Sequence, residues 1–502
     1  MDLVQACPDT VCRQAIGCNG VFPCPAIYMN LGDTLTVTFT NNLLQPTSVH
    51  WHGILQLNSV EMDGAGIITQ CEIKPGASFT YTFTPAQSGT YWYHSHSSTQ
   101  YVDGLRGSLV IFNPANTFVY QYQSLVELYD WYHSPTSVLL PAYLASLTGD
   151  EPVPESILLN GVGQFGCTTC PYSQIQVPQN SVIRLRLVNQ AAMAIISFSI
   201  DGHQLTVIEV DGVEVNPATF DVVRLNAAQR YSVLVTANQP VGTYLMRAEM
   251  DPTVFASPPV NPMALGNFVV VAGNVPVSPT PVVTQPLLTP VVLSGNPIIP
   301  PTITNPLAIP FIESPTVLSP LVPNPPPPST TTYPVELTFA PSILHAGANR
   351  GFLNGIHFTP PVTPVASFLE YIRANVPLPI GVNSRTFNLN EVVDIYLFNN
   401  DPGEHPFHLH GHTFWVIGMG NIDDGPYQGQ PLNLVAPVVR DTASVNANSW
   451  LVLRIRFNNP GVWAFHCHID WHLENGLLLV AVVSPRDVRR RLGTPPALQV
   501  CP

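Results

Sequence analysis

His466-Cys467-His468-Ile469-Asp470-Trp471-His472 places three imidazoles, a thiol and a carboxylate within one short stretch near the end of the chain. It follows Val462-Trp463-Ala464-Phe465, an apolar run that reads as a buried β-strand. Neighbouring side chains on a strand point to opposite faces, and residues two apart share one. His466 and His468 are therefore expected on one face and Cys467 on the other. Two metal centres placed back to back across one strand need that arrangement; a single centre does not.

Three more His-x-His pairs occur: His50/His52, His94/His96 and His408/His410. The first two follow alternating runs, Leu31–Thr40 and Ser78–Phe83, that read as strands with one wet face. Ile183–Val188 and Leu205–Val210 read the same way. Strands at this spacing, punctuated by Gly, Pro and Asn, predict an all-β chain of Greek-key sandwiches or barrels. At 502 residues it is too long for one core. The expected division is a first domain over 1–114, a second over 115–273, a proline-rich linker over 274–334 laid across the outside, and a third domain over 335–502. The histidine pairs fall two in the first domain and two in the third, which predicts a polynuclear metal site where those domains meet. The second domain has only His133 and His203, neither in a pair, and reads as a spacer without metal.

Cys467 calls for a different centre. A thiolate with two imidazoles and a weak axial partner is a copper electron-transfer site. His405 and His472 are the candidate imidazoles. The axial position falls to Leu477, which cannot coordinate, so Cu(II) is less stabilised and the site is the stronger oxidant.

The formal charge of −14, with Lys74 the sole lysine, argues against nucleic acid and against an anionic membrane surface. No apolar run reaches the roughly 18–20 residues of a membrane-spanning helix. With Cys467 as a ligand, eight of the nine cysteines remain for disulfides, which suits an oxidising compartment. Secretion is expected, although no signal peptide is visible, and so is a monomer.

The chain resembles the multicopper oxidases, and most of all the fungal laccases, over nearly its whole length. His50-Trp51-His52-Gly53, Trp92-Tyr93-His94-Ser95-His96, His405-Pro406-Phe407-His408-Leu409-His410-Gly411 and the opening stretch match the family's four copper motifs. The resemblance implies three consecutive cupredoxin-like domains and four copper ions. Type 1 copper would be held by His405, Cys467 and His472, and type 2 by His50 and His408. One type 3 ion would take His52, His94 and His468, the other His96, His410 and His466. Electrons would enter at His472, pass to Cys467 and cross to His466 and His468, and O2 would be reduced to water. Asp63 and Asp470 match acids that the family uses near the oxygen site, where they would deliver protons. Cys71 and Cys501 match a family disulfide that ties the first domain to the C-terminus.

Departures from the pattern bear on the substrate. Met193 stands where the related laccases carry an acid that takes the phenolic proton. Both halves of another family disulfide are missing, Val102 being one replacement. Asp401 resembles an acid used by iron-oxidising members, and Asp201 aligns near their second acid. The expected activity is therefore laccase-like oxidation of small phenolic or aromatic donors, with Fe(II) oxidation as the alternative. Passive copper storage has no need of a type 1 site coupled to a trinuclear one. Cys7, Cys12, Cys18, Cys24, Cys167 and Cys170 lie outside the pattern. A disulfide from Cys167 or Cys170 to an N-terminal cysteine is favoured over a zinc site. The segment before Arg13 reads as short by most of a strand.

Overall fold

The computed structural model describes residues 1–167, 169–273, 291–293, 317–361 and 366–501. Most of the proline-rich 274–334 stretch therefore lies outside the described residues. Within it, 318–320 rests on the second part of the chain through a Val215–Pro320 bridge. Strand Thr331–Pro341 begins a few residues before the expected start of the third domain.

The architecture is three cupredoxin-like units, each built of two layers of strand. In the first, Ile27–Asn30, Arg106–Phe112, Gly89–Ser95 and Val49–His52 form a sheet in that order, and Leu35–Thr40 pairs with Ser78–Phe83. The wet face expected of that last pair is a ladder of hydroxyls. Thr38 and Thr40 lie 2.8 Å from Thr80 and Ser78 respectively. The second unit has two six-stranded sheets, and the third has one of six and one of five. Each unit also pairs two strands in parallel among antiparallel neighbours. Examples are Ile27–Asn30 with Arg106–Phe112, Tyr122–Trp131 with Val182–Asn189, and Thr331–Pro341 with Glu391–Asn399. Parallel neighbours cannot be joined by a tight hairpin, so each unit has the long return connection of a Greek key.

The five-stranded sheet carries the opening stretch. Its order is Ser384–Phe387, Leu478–Val483, Gly461–Cys467, His405–Leu409 and Thr442–Val445. Register sets His408 opposite His466, and in the first unit His50 opposite His94. Directly opposed residues share a face, so each sheet gathers its own imidazoles before the units meet. Gly64 makes a close approach possible: at φ +87° a Cβ there would lie 1.7 Å from the Val49 carbonyl oxygen. The turn carrying Asp63 can therefore lie against the His50 strand.

Eight cysteines form four disulfides, Cys7–Cys12, Cys18–Cys24, Cys71–Cys501 and Cys167–Cys170. This corrects the expected link from Cys167 or Cys170 to the N-terminus. Asp2–Ala6 pairs with Arg13–Gly17 as a hairpin, and its turn already joins Cys7 to Cys12. A strand thus does precede Arg13. No described helix is long and apolar enough to cross a membrane.

Candidate metal centres

Strand Gly461–Cys467 is buried along its whole length, and its end presents different chemistry on each face. Cys467 Sγ lies 3.6 Å from His405 Nδ1 and 3.5 Å from His472 Nδ1. On the other face, His466 Nε2 lies 3.2 Å from His410 Nε2, and His468 Nε2 lies 3.2 Å from His52 Nδ1. The expected alternation is present in the side chains themselves.

On the thiol face, His472 comes from the short helix Asp470–Glu474 and His405 from the start of its own strand. Burial alone would raise the Cys467 thiol, but hydrogen bonds and charge from His405 and His472 bring it down to about 7. The imidazoles shift the opposite way. Burial disfavours the charge on His472, yet Cys467 and then Glu151 raise it to about 10. Against the same burial, Asp401 and then Cys467 raise His405. Leu477 is fully buried, and its carbonyl accepts from the Cys467 amide at 3.2 Å.

Both outer nitrogens end on carboxylates. His405 Nε2 lies 3.1 Å from Asp401 Oδ2, and His472 Nε2 lies 2.9 Å from Glu151 Oε1. Asp401 and Glu151 are 23% and 20% exposed, and both line a cavity of about 330 Å³. Asp150, Glu404, Met193 and Phe339 line it too. Asp201 is not among its lining residues; Arg247 holds that carboxylate through two 2.9 Å bonds.

On the other face, eight imidazoles from the first and third units converge. His50 stacks on His410 and His52 on His408, each with 3.8 Å between ring centroids. Backbone carbonyls fix four of the eight rings. His50 donates from Nδ1 to Asp63 O, His94 to Ser95 O, His408 to Asp441 O and His466 to Cys467 O, all at 2.8–2.9 Å. His410 donates from Nδ1 to Asp63 Oδ2 at 3.0 Å. Each such bond turns the ring's other nitrogen inward, where those of His410 and His466 meet at 3.2 Å. Nε2 of His50, His94, His96 and His408, and Nδ1 of His468, are buried without any hydrogen-bond partner. The four orphaned Nε2 atoms, buried among these packed rings, are costly unless something binds them. Burial and the neighbouring imidazoles push His52, His94, His408, His410, His466 and His468 well below the ordinary histidine range. They are therefore neutral and ready to coordinate.

Among the described residues, five triads have their donor atoms close enough to share an ion: His405/Cys467/His472, His96/His410/His466, His50/His408/His410, His50/His52/His94 and His52/His408/Asp441. A thiolate with two imidazoles suits copper, as do imidazole clusters. The donors present therefore fit the copper set that the resemblance implies. His133 and His203 join no triad.

A cavity of about 420 Å³ leads to the imidazole face past Glu72, Ser98, Asp470 and Glu474. Burial, then Glu474 and Asp130, raise Asp470 well above the carboxylate range, and its Oδ2 has no partner. Asp470 is thus placed to hold a proton beside the cluster. Asp63 is fully buried and bonded to His410, so it also orients a ring. Sequence reasoning missed Glu151, Glu404, Glu474 and Asp441.

Three segments match multicopper oxidase family models, at residues 3–116, 122–270 and 357–487. The chain is 35% identical to a laccase of Phlebia radiata, over 96% of this chain and 88% of that protein. It is 34% identical to the iron transport multicopper oxidase fetC of Epichloe festucae, over 98% and 76% respectively. Among solved structures it resembles Fet3p, a multicopper oxidase that functions in iron import, with TM-score 0.84, 28% identity, and 99% of this chain and 92% of that one covered. It also resembles the laccase of Botrytis aclada, with TM-score 0.82, 29% identity, and 97% and 87% covered.

Proposed function

The chain belongs to the multicopper oxidases, and from that premise we propose that it oxidises Fe(II) at the His472 edge and passes the electrons to O2. The family binds four copper ions. We assign type 1 copper to His405, Cys467 and His472, and type 2 to His50 and His408. The type 3 pair falls to His52, His94 and His468 and to His96, His410 and His466. Bound copper supplies one-electron acceptance at the thiolate site and reduction of O2, with four electrons and four protons, to two waters at the imidazole cluster.

One observation carries the choice of reductant. Glu151 and Asp401 occupy the outer nitrogens of both thiolate-side imidazoles and face a cavity that also holds Asp150 and Glu404. Arg224 already holds Glu404, but the carboxylates of Glu151, Asp401 and Asp150 suit a small cation better than a neutral ring. A phenol must also surrender a proton; Met193 cannot take it, which leaves that task to carboxylates already bonded to His405 and His472. On the oxygen side, Asp470 and Glu474 hold protons beside the cluster, and Asp63 keeps His410 in one tautomer. Cys467 adjoins both His466 and His468 in the chain, so one stretch of backbone joins the two faces. Eight cysteines paired in four disulfides favour a secreted protein.

A second reading rests on the apolar wall of the same cavity, where Met193, Ile195, Val254, Phe255 and Phe339 fit a small phenolic ring. The two readings separate in a Glu151→Gln, Asp401→Asn double variant. Both substrates share the loss of the two ring partners, so Fe(II) kcat/KM is expected to fall about 10²-fold further than that of dimethoxyphenol. Intact Fe(II) oxidation alongside lost phenol turnover would overturn the first reading in favour of the second.

A further inference from the structure

Arg230 belongs to the second unit, which has no histidine in either cluster, yet its fully buried guanidinium touches all three units. Nε donates to the Thr90 carbonyl of the first unit at 3.1 Å. Nη1 donates to the Ala228 carbonyl of its own unit at 3.1 Å. Nη1 and Nη2 form a two-pronged pair with Asp441 of the third unit, at 2.8 Å to Oδ1 and 2.6 Å to Oδ2. Asp211 adds a second carboxylate: it accepts from the Arg230 amide at 2.9 Å and from Arg440 Nε at 2.9 Å.

Asp441 in turn lies between two imidazoles from different units. His52 Nε2 donates to its Oδ1 at 3.3 Å, and His408 Nδ1 to its backbone carbonyl at 2.9 Å. Thr442 completes the junction. Its hydroxyl donates to Asp441 Oδ1 at 2.8 Å, which turns the oxygen lone pairs toward His52 Nε2 at 3.3 Å and His408 Nδ1 at 3.2 Å. Gly53, which closes the His-Trp-His-Gly motif, belongs to the same packing. A Cβ there would lie 2.6 Å from Arg230 Nη2 and 2.8 Å from Asp441 Oδ2. The glycine admits the ion pair.

We propose that Arg230 is a positioning residue for oxygen reduction: it locks the Asp441 carboxylate, which with Thr442 fixes the tautomer and angle of His52 and His408 across the first and third units. The planar fork of arginine meets both carboxylate oxygens at once, so Asp441 cannot rotate away from the imidazoles. The partner of a ligand's second nitrogen sets that ring's tautomer and orientation. Here one carboxylate and its backbone carbonyl serve two ligands, and the second unit holds that carboxylate in place.

The proposal rests on the ligand assignment above, and copper-loaded protein tests the two separately. Arg230→Gln is expected to alter the type 2 electron paramagnetic resonance spectrum and to weaken copper retention at the imidazole cluster by about 10–100-fold, as loss of such partners does. Type 1 absorption and the KM for the reductant are expected to stay unchanged while kcat falls. Asp441→Asn, nearly isosteric, is expected to give the same spectral change and covers the case in which Arg230→Gln fails to fold. Arg230→Lys is expected to restore the spectrum only partly. A type 2 spectrum identical to wild type in folded Asp441→Asn protein would overturn the clamp, whatever happened to its melting temperature. A wild-type protein with full copper and no type 2 signal would overturn the ligand assignment itself.

Discussion

The two faces of strand Gly461–Cys467 solve different problems with the same imidazole. On the thiol face both rings end on carboxylates that reach a solvent-facing cavity, and His405 and His472 are raised. On the other face most rings end on backbone carbonyls or on the wholly buried Asp63 and Asp441, and six of them are pushed well below the histidine range. Electron entry must meet an outside reductant, so side chains at the rim set its character and can change with the substrate. Oxygen reduction needs rings that never protonate and never turn, so the fold itself holds them. The substrate question is therefore a question about Glu151, Asp401 and Met193, whereas the four-electron chemistry is embedded in strand register.

The most severe way to break the comparison is Cys467→Ser. It removes the thiolate of the proposed type 1 site and leaves His466 and His468 on their own side. The intense blue absorption and steady-state turnover are expected to vanish, while the type 2 signal and copper at the imidazole cluster remain. Absorption, paramagnetic resonance and copper content on one preparation check this. Loss of all copper would mean that the faces do not form independently.

A smaller effect separates the faces by pH. Helix Asp470–Glu474 presents His472 to one face and Glu474 to the cavity of the other. Burial, then the like charge of Glu72, raise Glu474 from 4.5 to about 7, against a weaker hydrogen bond from Ser98. A carboxyl whose folded-state value lies above its unfolded one binds more protons when folded. Its neutral form therefore costs nothing below pH 4.5, and stability is lost as pH rises from 4.5 toward 7. Glu474→Gln cannot ionise. Its stability advantage over wild type is expected to grow across that window by about 1–3 kcal/mol, read from unfolding midpoints. Wild-type oxygen turnover is expected to decline above pH 7 as Glu474 ionises, and the variant is expected to lack that dependence. A constant difference from pH 4.5 to 8 would show that Glu474 is not held neutral.

Much of this was legible in the chain, because its signals are local. His-x-His on a strand places two rings on one face whatever the rest of the fold does, and a cysteine between two such histidines must face away. The partners that tune those rings are not local. Glu151 meets His472 across 321 residues, and Arg230 meets Asp441 across 211. No spacing rule reaches that far, and both acids sit in unremarkable contexts, Gly149-Asp150-Glu151 and Arg440-Asp441-Thr442. Reading the second unit as a spacer overlooked Arg230 for the same reason: it has no metal-binding side chain to draw notice. Cysteine spacing likewise left pairing open, and the hairpin that joins Cys7 to Cys12 decided it.

The smallest expected effect sharpens the comparison on the thiol face alone. Leu477 is fully buried beside Cys467 and tightly packed, since a Cβ on Gly351 would lie 2.8 Å from its side chain. Leu477→Met conserves volume, so the unfolding cost should stay below about 1.5 kcal/mol. It would offer a thioether beside a site whose residues would otherwise hold the ion through one thiolate and two imidazoles. A thioether donor stabilises Cu(II) relative to Cu(I), so the type 1 potential is expected to fall and reductant oxidation to slow. The type 2 spectrum should not move, because the alternation of the strand keeps the imidazole cluster on the far side of Cys467. Redox titration of the blue absorption, with paramagnetic resonance on the same samples, checks both halves. An unchanged potential would place the Leu477 side chain off the axis of the thiolate site, and the oxidising strength of that site would then have to come from the burial and hydrogen bonding around Cys467 Sγ.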